Sequence, residues 1–286
     1  MNRRELSIDW YLERAISLLK MSPLETQYQS YIVYPILEEI LQTENRDCDL
    51  VDCHNFRQFN TNNHDRTKYS VLAKAVPDLL IAKNFFFNNK DKHVYDALES
   101  IVAVEVKEPN SSAMLDRVIS IEKASEEITS NNHSVKEYSD GLYTEILPNL
   151  VKNGKLILTN IRKWETFDVS EVKDDKLRKQ INNYLNELTN VANKYNNANE
   201  RKKISEEVKK LDKENLTSIK KFVQASHVST WNIINNKGKL VVNRDLYGED
   251  IEKGISGVSN MDYEFEAYKG LKNGLRSFLF PEDSPE

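Results

Sequence analysis

The run Ile101-Val102-Ala103-Val104-Glu105-Val106-Lys107 constrains this chain more than any other segment. A short, nearly unbroken apolar stretch rich in Val, halted by Pro109, predicts a β-strand covered on both faces; a half-exposed strand would alternate apolar with polar residues. Its end nevertheless carries a carboxylate and an ammonium. By the two-residue period of a strand, Glu105 and Lys107 leave the same face while Val106 points to the other. Charged groups closing so apolar a strand call for a chemical reason.

Other runs supply partners for that strand. Asp78–Ala82 reads as a second strand, with Phe85-Phe86-Phe87 and turn chemistry at 88–91 after it, and Lys155–Thr159 and Trp164–Val169 read as two more. Helical spacing fills the intervals. It covers residues 6–20, through Ile8, Leu12, Ala15, Ile16 and Leu19, and a segment opening near Ser22-Pro23 that continues through Tyr28, Ile32, Ile36, Leu37 and Ile40. Ser22 with Glu25 three residues later has the form of a capping box, and Pro35 is expected to kink this helix or shift its boundary. Helical spacing returns at 112–130 and at 135–151, where Gly141 and Pro148 interrupt it; residues 45–75 are polar and carry no clear assignment. Strands alternating with helices predict an α/β core over residues 1–170. From 171 to 286 the pattern turns mostly helical, with one stripe at Leu177, Ile181, Tyr184, Leu188, Val191 and Tyr195 and another at Ile204, Val208, Leu211, Ile219 and Phe222.

Composition narrows the classes. With 286 residues the chain can bury a large core, and no run approaches the ~20 apolar residues that span a bilayer. The basic start, Met1–Leu6, leads into charged sequence and predicts no signal peptide. Two cysteines, Cys48 and Cys53, argue against a disulfide scaffold and predict a reducing, cytoplasmic setting. A net charge of -5 does not favour a nucleic-acid partner, but residues 171–225 hold 13 Lys and Arg against 9 Asp and Glu.

The chemistry concentrates in Pro77-Asp78, 26 intervening residues, then Glu105-Val106-Lys107. If the two strands pair, two carboxylates and one ammonium meet at one edge. Carboxylates that close resist joint ionisation unless a cation lies between them. Oxygen donors suit a hard ion such as Mg²⁺, with Mn²⁺ as a substitute, and the Val106 carbonyl is a further candidate ligand between the two side chains. Such an ion acidifies a bound water and neutralises charge on a phosphate under attack; Lys107 would orient or deprotonate that water, or stabilise the transition state. Rival sites are weaker. Cys48, Cys53, His54 and His64 match no strong zinc spacing, no Gly-x-Ser-x-Gly elbow exists, and Phe85–Phe87 suits packing better than base stacking. Lys202 and Lys203, in the basic run beginning at Arg201, are candidate phosphate contacts on what is otherwise a solvated helix face.

These motifs resemble the PD-(D/E)xK nucleases, and within them the N-terminal endonuclease domain of type I restriction-enzyme motor subunits. Leu24–Gln29 leading to Pro35-Ile36-Leu37 is similar to the family's opening helix, Val76–Ile81 to its metal-binding Asp strand, and Val102–Lys107 to its Glu-x-Lys strand. Leu158-Thr159-Asn160 with Trp164 and Phe167-Asp168 resembles the strand pair beyond the next helix. The resemblance, over about residues 20–170, implies a restriction-endonuclease-like mixed sheet flanked by helices, Mg²⁺-dependent hydrolysis of DNA phosphodiesters, and a role for Glu25 near the metal. It implies DNA contact at Asn160 and at Tyr143, which with Tyr138 stands nearest to the family's Gln-x-x-x-Tyr helix motif; Ile161 replaces the usual Gly after Thr-Asn. No Gly-x₄-Gly-Lys-Ser/Thr loop is present, so the expected chemistry is independent of ATP. The expected partners are DNA and a second copy or a separate recognition subunit, with residues 171–286 as a nucleic-acid grip or oligomerisation surface. A non-catalytic binding protein of the same fold and an RNA-directed nuclease are the alternatives.

Overall fold

The computed structural model describes residues 6–21, 24–44, 47–53, 77–83, 100–108, 138–194, 201–233 and 258–281. The expected helix at 112–130, Phe85–Phe87 and the turn after it, Ser22, Tyr195, His54 and His64 lie outside those residues. In chain order the elements are α1 (Ile8–Met21), α2 (Glu25–Tyr28), a π-helical turn (Gln29–Val33), α3 (Tyr34–Thr43), β1 (Cys48–Asp52), β2 (Leu79–Lys83) and β3 (Ser100–Val106). Then follow α4 (Asp140–Asn153), β4 (Lys155–Thr159), β5 (Lys163–Asp168), α5 (Asp175–Lys194), α6 (Arg201–Ala225), β6 (His227–Asn232) and α7 (Val258–Leu279). No helix among the described residues is long and apolar enough to cross a membrane.

The six strands form one mixed sheet in sequence order, β1-β2-β3-β4-β5-β6. The β3–β4 pairing is parallel and the others antiparallel, because α4 carries the chain back across the sheet before β4 begins. As its composition demands, β3 is covered on both faces. Val102, Val104 and Val106 join the core formed with α1, α3 and α7, and Ala103 joins the core under α4, α5 and α6. Neither edge strand was legible in advance. β1 arises from the polar stretch with only Leu50 and Val51 buried, and β6 falls within the region read as helical, where Val228, Thr230 and Trp231 favour a pleat against β5.

Local chemistry sets the helix boundaries. Pro35 lacks an N–H, and its ring would crowd the carbonyl one turn back; the chain meets this by widening into the π-turn at Gln29–Val33 and starting α3 with Pro35 in its first turn. α2 begins at Glu25 with Leu24 before it and no side-chain cap, so the Glu25 carboxylate is engaged elsewhere. α4 is capped by Ser139, whose Oγ accepts from the Leu142 N–H, runs through Pro148, and closes at Gly154 with φ of 76°. Burial of Leu142, Ile146, Leu147 and Leu150 holds it together past the proline.

Candidate functional site

Leu79 pairs with Val104 across the antiparallel β2–β3 ladder, which brings the flanking residues Asp78 and Glu105 side by side. Asp78 closes the gap itself: its Oδ2 accepts the Val106 N–H at 2.6 Å, and its carbonyl accepts from Cys53 N–H at 3.0 Å and from Gln29 Nε2 at 3.5 Å. On the other side the parallel ladder extends one residue past β3, where the Lys107 N–H donates to the Thr159 carbonyl at 2.8 Å. The backbone of Glu105, Val106 and Lys107 is therefore pinned from both neighbouring strands.

The Lys107 ammonium then gathers three carboxylates from three elements. Its Nζ stands 2.6 Å from Glu105 Oε1 on β3, 2.9 Å from Glu145 Oε1 on α4 and 3.4 Å from Glu25 Oε1 on α2. Asp78, Glu105 and Lys107 are each at most 8% exposed. Burial, and then the neighbouring Asp78, push the Glu105 carboxyl well above the ordinary carboxylate range against the pull of Lys107. Burial also raises Glu25, with Lys107 opposing. Burial alone would lower the Lys107 ammonium, but the carboxylates, Glu105 foremost, outweigh it and hold the group firmly charged. Among the described residues no three His, Cys, Asp or Glu side chains close on a single ion as they stand. Glu25, Glu105 and Glu145 turn to the ammonium instead, and Asp78 to the Val106 N–H.

Searched against protein-family models, curated proteins and solved structures, the chain has no match.

The structure thus brings Asp78, Glu105, Lys107 and Glu25 to one point, with the Val106 side chain fully buried on the opposite face of β3. Of the other sequence candidates, Asn160 directly follows Thr159, whose carbonyl accepts the Lys107 N–H, and Tyr143 lies two residues before Glu145 on α4. Asn160 is fully buried in the turn from β4 to β5, its Oδ1 accepting from the N–H groups of Arg162 at 3.2 Å and Lys163 at 2.9 Å. Tyr143 is buried on α4, stacked at a tilt on Tyr138, and its hydroxyl accepts from Gln224 Nε2 at 3.3 Å. Lys202 and Lys203 are exposed in the first turn of α6. Cys53 is buried, which pushes its thiol far above the ordinary range, and Cys48 is partly covered; both are free thiols.

Three polar residues at the site escaped the sequence reading: Gln29, Glu145 and Asn149. Gln29 lies one turn after Glu25 and is 2% exposed. Glu145 and Asn149 sit one turn apart on α4, Asn149 on its buried stripe and Glu145 at the edge of it. Asn149 was the available signal. A polar residue at a core position of a helix needs a partner, and here the partner comes from β3.

Proposed function

We propose that this chain is a metal-dependent nuclease of the PD-(D/E)xK type that hydrolyses DNA phosphodiester bonds, in restriction or defence against foreign DNA. The observation that carries the reading is the meeting of Asp78 with Glu105-Val106-Lys107 across the β2–β3 ladder, with Asp78 bonded to the Val106 N–H at 2.6 Å. Two motif halves separated in sequence have no packing reason to place two carboxylates side by side in the interior.

The donor set fits a hard divalent cation. Asp78 and Glu105 offer oxygen alone, they are adjacent and buried, and burial and then the neighbouring Asp78 hold Glu105 well above its ordinary range. Asp78, Glu105 and the Val106 carbonyl would hold Mg²⁺ or Mn²⁺, with Glu25 at the margin. Bound there, such an ion supplies an acidified water and neutralises charge on the scissile phosphate. The chain's own part is to orient: the Asp78 carboxylate is fixed by a backbone N–H, and the β3–β4 ladder aims Lys107 at the same point. A firmly protonated Lys107 suits stabilisation of the phosphorane-like transition state and alignment of the water better than proton abstraction.

A single site of this kind cuts one strand at a time, so a double-strand break calls for two copies or a partner subunit. Lys202 and Lys203 are exposed on α6 and would be the phosphate contacts of that region. The test is incubation of the purified protein with plasmid DNA, single-stranded DNA and RNA of matched sequence, under Mg²⁺, Mn²⁺ or EDTA and without ATP. Metal-dependent DNA cleavage is expected. Cleavage confined to RNA would move the substrate, and no cleavage of any nucleic acid would leave a binding protein.

A further inference from the structure

α4 lays Leu142, Ile146 and Leu150 onto Ala103, Leu156 and Leu158 of the sheet. One polar side chain, Asn149, interrupts that buried face, and a second, Glu145, stands at its edge. Asn149 is 1% exposed, its Nδ2 reaches Glu105 Oε2 at 3.5 Å, and its Oδ1 has no hydrogen-bond partner among the described residues. Leaving a buried amide oxygen unpaired costs about 1–3 kcal/mol, which an apolar residue would avoid. One turn earlier, Glu145 reaches the Lys107 ammonium at 2.9 Å with 41% of its side chain exposed.

The geometry divides Glu105 between two neighbours. Its Oε1 is bonded to Lys107 at 2.6 Å, and its Oε2 faces Asn149. Lys107 in turn spends its three N–H donors on Glu105, Glu145 and Glu25. A dication shared by Asp78 and Glu105 would compete with the ammonium for Oε1, and the two positive charges repel. Lys107 can stay in place only if another carboxylate takes up its charge. Glu25 is the more distant candidate, at 3.4 Å against 2.9 Å for Glu145.

Building on the nuclease reading, we propose that Glu145 and Asn149 are positioning residues of this site: Asn149 orients Glu105 through Oε2, and Glu145 takes over the Lys107 ammonium when Glu105 turns Oε1 to a divalent cation. Neither touches the cation. Glu145 acts through Lys107, and Asn149 acts through Glu105.

Mn²⁺ binding to the full chain, followed by titration calorimetry, tests this without reference to turnover. Glu145→Gln is expected to raise the Mn²⁺ Kd about 3- to 10-fold, because Lys107 then keeps its hold on Glu105. In a Lys107→Met background the same substitution is expected to change Kd by less than about twofold, because its intermediary is gone. Asn149→Leu is expected to weaken binding in both backgrounds, with Asn149→Ser as the alternative should the bulkier variant not fold. An unchanged Kd in Glu145→Gln, or an equal loss with and without Lys107, overturns the role of Glu145; the second result would mark it as a ligand. Unchanged affinity in the Asn149 variants overturns the role of Asn149. A wild-type chain that binds no Mn²⁺ sinks the nuclease reading itself, and this inference with it.

Discussion

Placing glycine at position 161 is expected to destabilise the protein. Ile161 adopts φ of 62°, a left-handed conformation that a β-branched residue rarely takes. Its N–H donates to Thr159 Oγ1 at 3.0 Å, and its carbonyl accepts the hydroxyl of Tyr11 from α1. The backbone of the β4–β5 turn, next to the strand that pins Lys107, is thus locked in this conformation. Glycine would remove a strain of about 1–2 kcal/mol. The Ile161 side chain, however, is fully buried in the core beneath α1, α3 and α7. Truncating a buried Ile costs about 2–5 kcal/mol, and the freer unfolded chain of a glycine adds about 0.5–1 kcal/mol. Burial wins, by roughly 0.5–5 kcal/mol on these magnitudes. Ile161→Leu keeps the volume and sheds the β-branch, so it should stay within about 1.5 kcal/mol of wild type. Thermal unfolding resolves the difference, since a chain of this size shifts by roughly 2 °C per kcal/mol. A glycine variant as stable as wild type, or more so, would refute this reasoning and show that backbone strain outweighs burial at the turn.

Other perturbations read different parts of the structure. Tyr11 is fully buried, donating to the Ile161 carbonyl and accepting from Trp164 Nε1 at 2.9 Å; Tyr11→Phe orphans both groups and should lower stability by about 2–4 kcal/mol in urea unfolding. A Cβ on Gly274 of α7 would run into the Trp231 ring of β6, so Gly274→Ala should cost about 1–3 kcal/mol by overpacking, against little effect at the open Gly141. Glu105 is held well above its unfolded value of about 4.3, so across the interval between the two values the folded chain keeps a proton that the unfolded chain releases. Its contribution to metal-free stability is full below the unfolded value of about 4.3 and is lost as pH rises through the raised value. The difference in melting temperature between Glu105→Gln and wild type should therefore move in favour of the variant from acid to neutral pH, and a constant difference would contradict the shift.

What could be read in advance follows from how local each signal is. The apolar run at 101–106 announces a doubly covered strand because burial on both faces leaves no polar position except where chemistry requires one, and β3 has that form. The periods of α1, α5 and α6 were legible for the same reason, since their buried stripes lie at 3.6-residue spacing. β1 and β6 were not, because each is a short edge strand whose pleat is set by its one neighbour rather than by its own alternation. At the site, Asp78, Glu105, Lys107 and Glu25 were legible as residues, and the tertiary fold alone brings them within reach of one another. The resemblance implies DNA contact at Asn160, and the structure adds a role in the turn, where its Oδ1 accepts from the Arg162 and Lys163 N–H groups.

The most direct test of a single hydrolytic site at Asp78, Glu105 and Lys107 is single-turnover cleavage of end-labelled DNA with Mg²⁺ or Mn²⁺. Wild type would be compared with Asp78→Ala, Glu105→Ala and Lys107→Ala, each first shown to keep native circular dichroism. The expected result is wild-type cleavage that EDTA abolishes, and rates at least ~100-fold lower in each variant. Cleavage by all three variants at the wild-type rate, or wild-type cleavage that persists in EDTA, would contradict it.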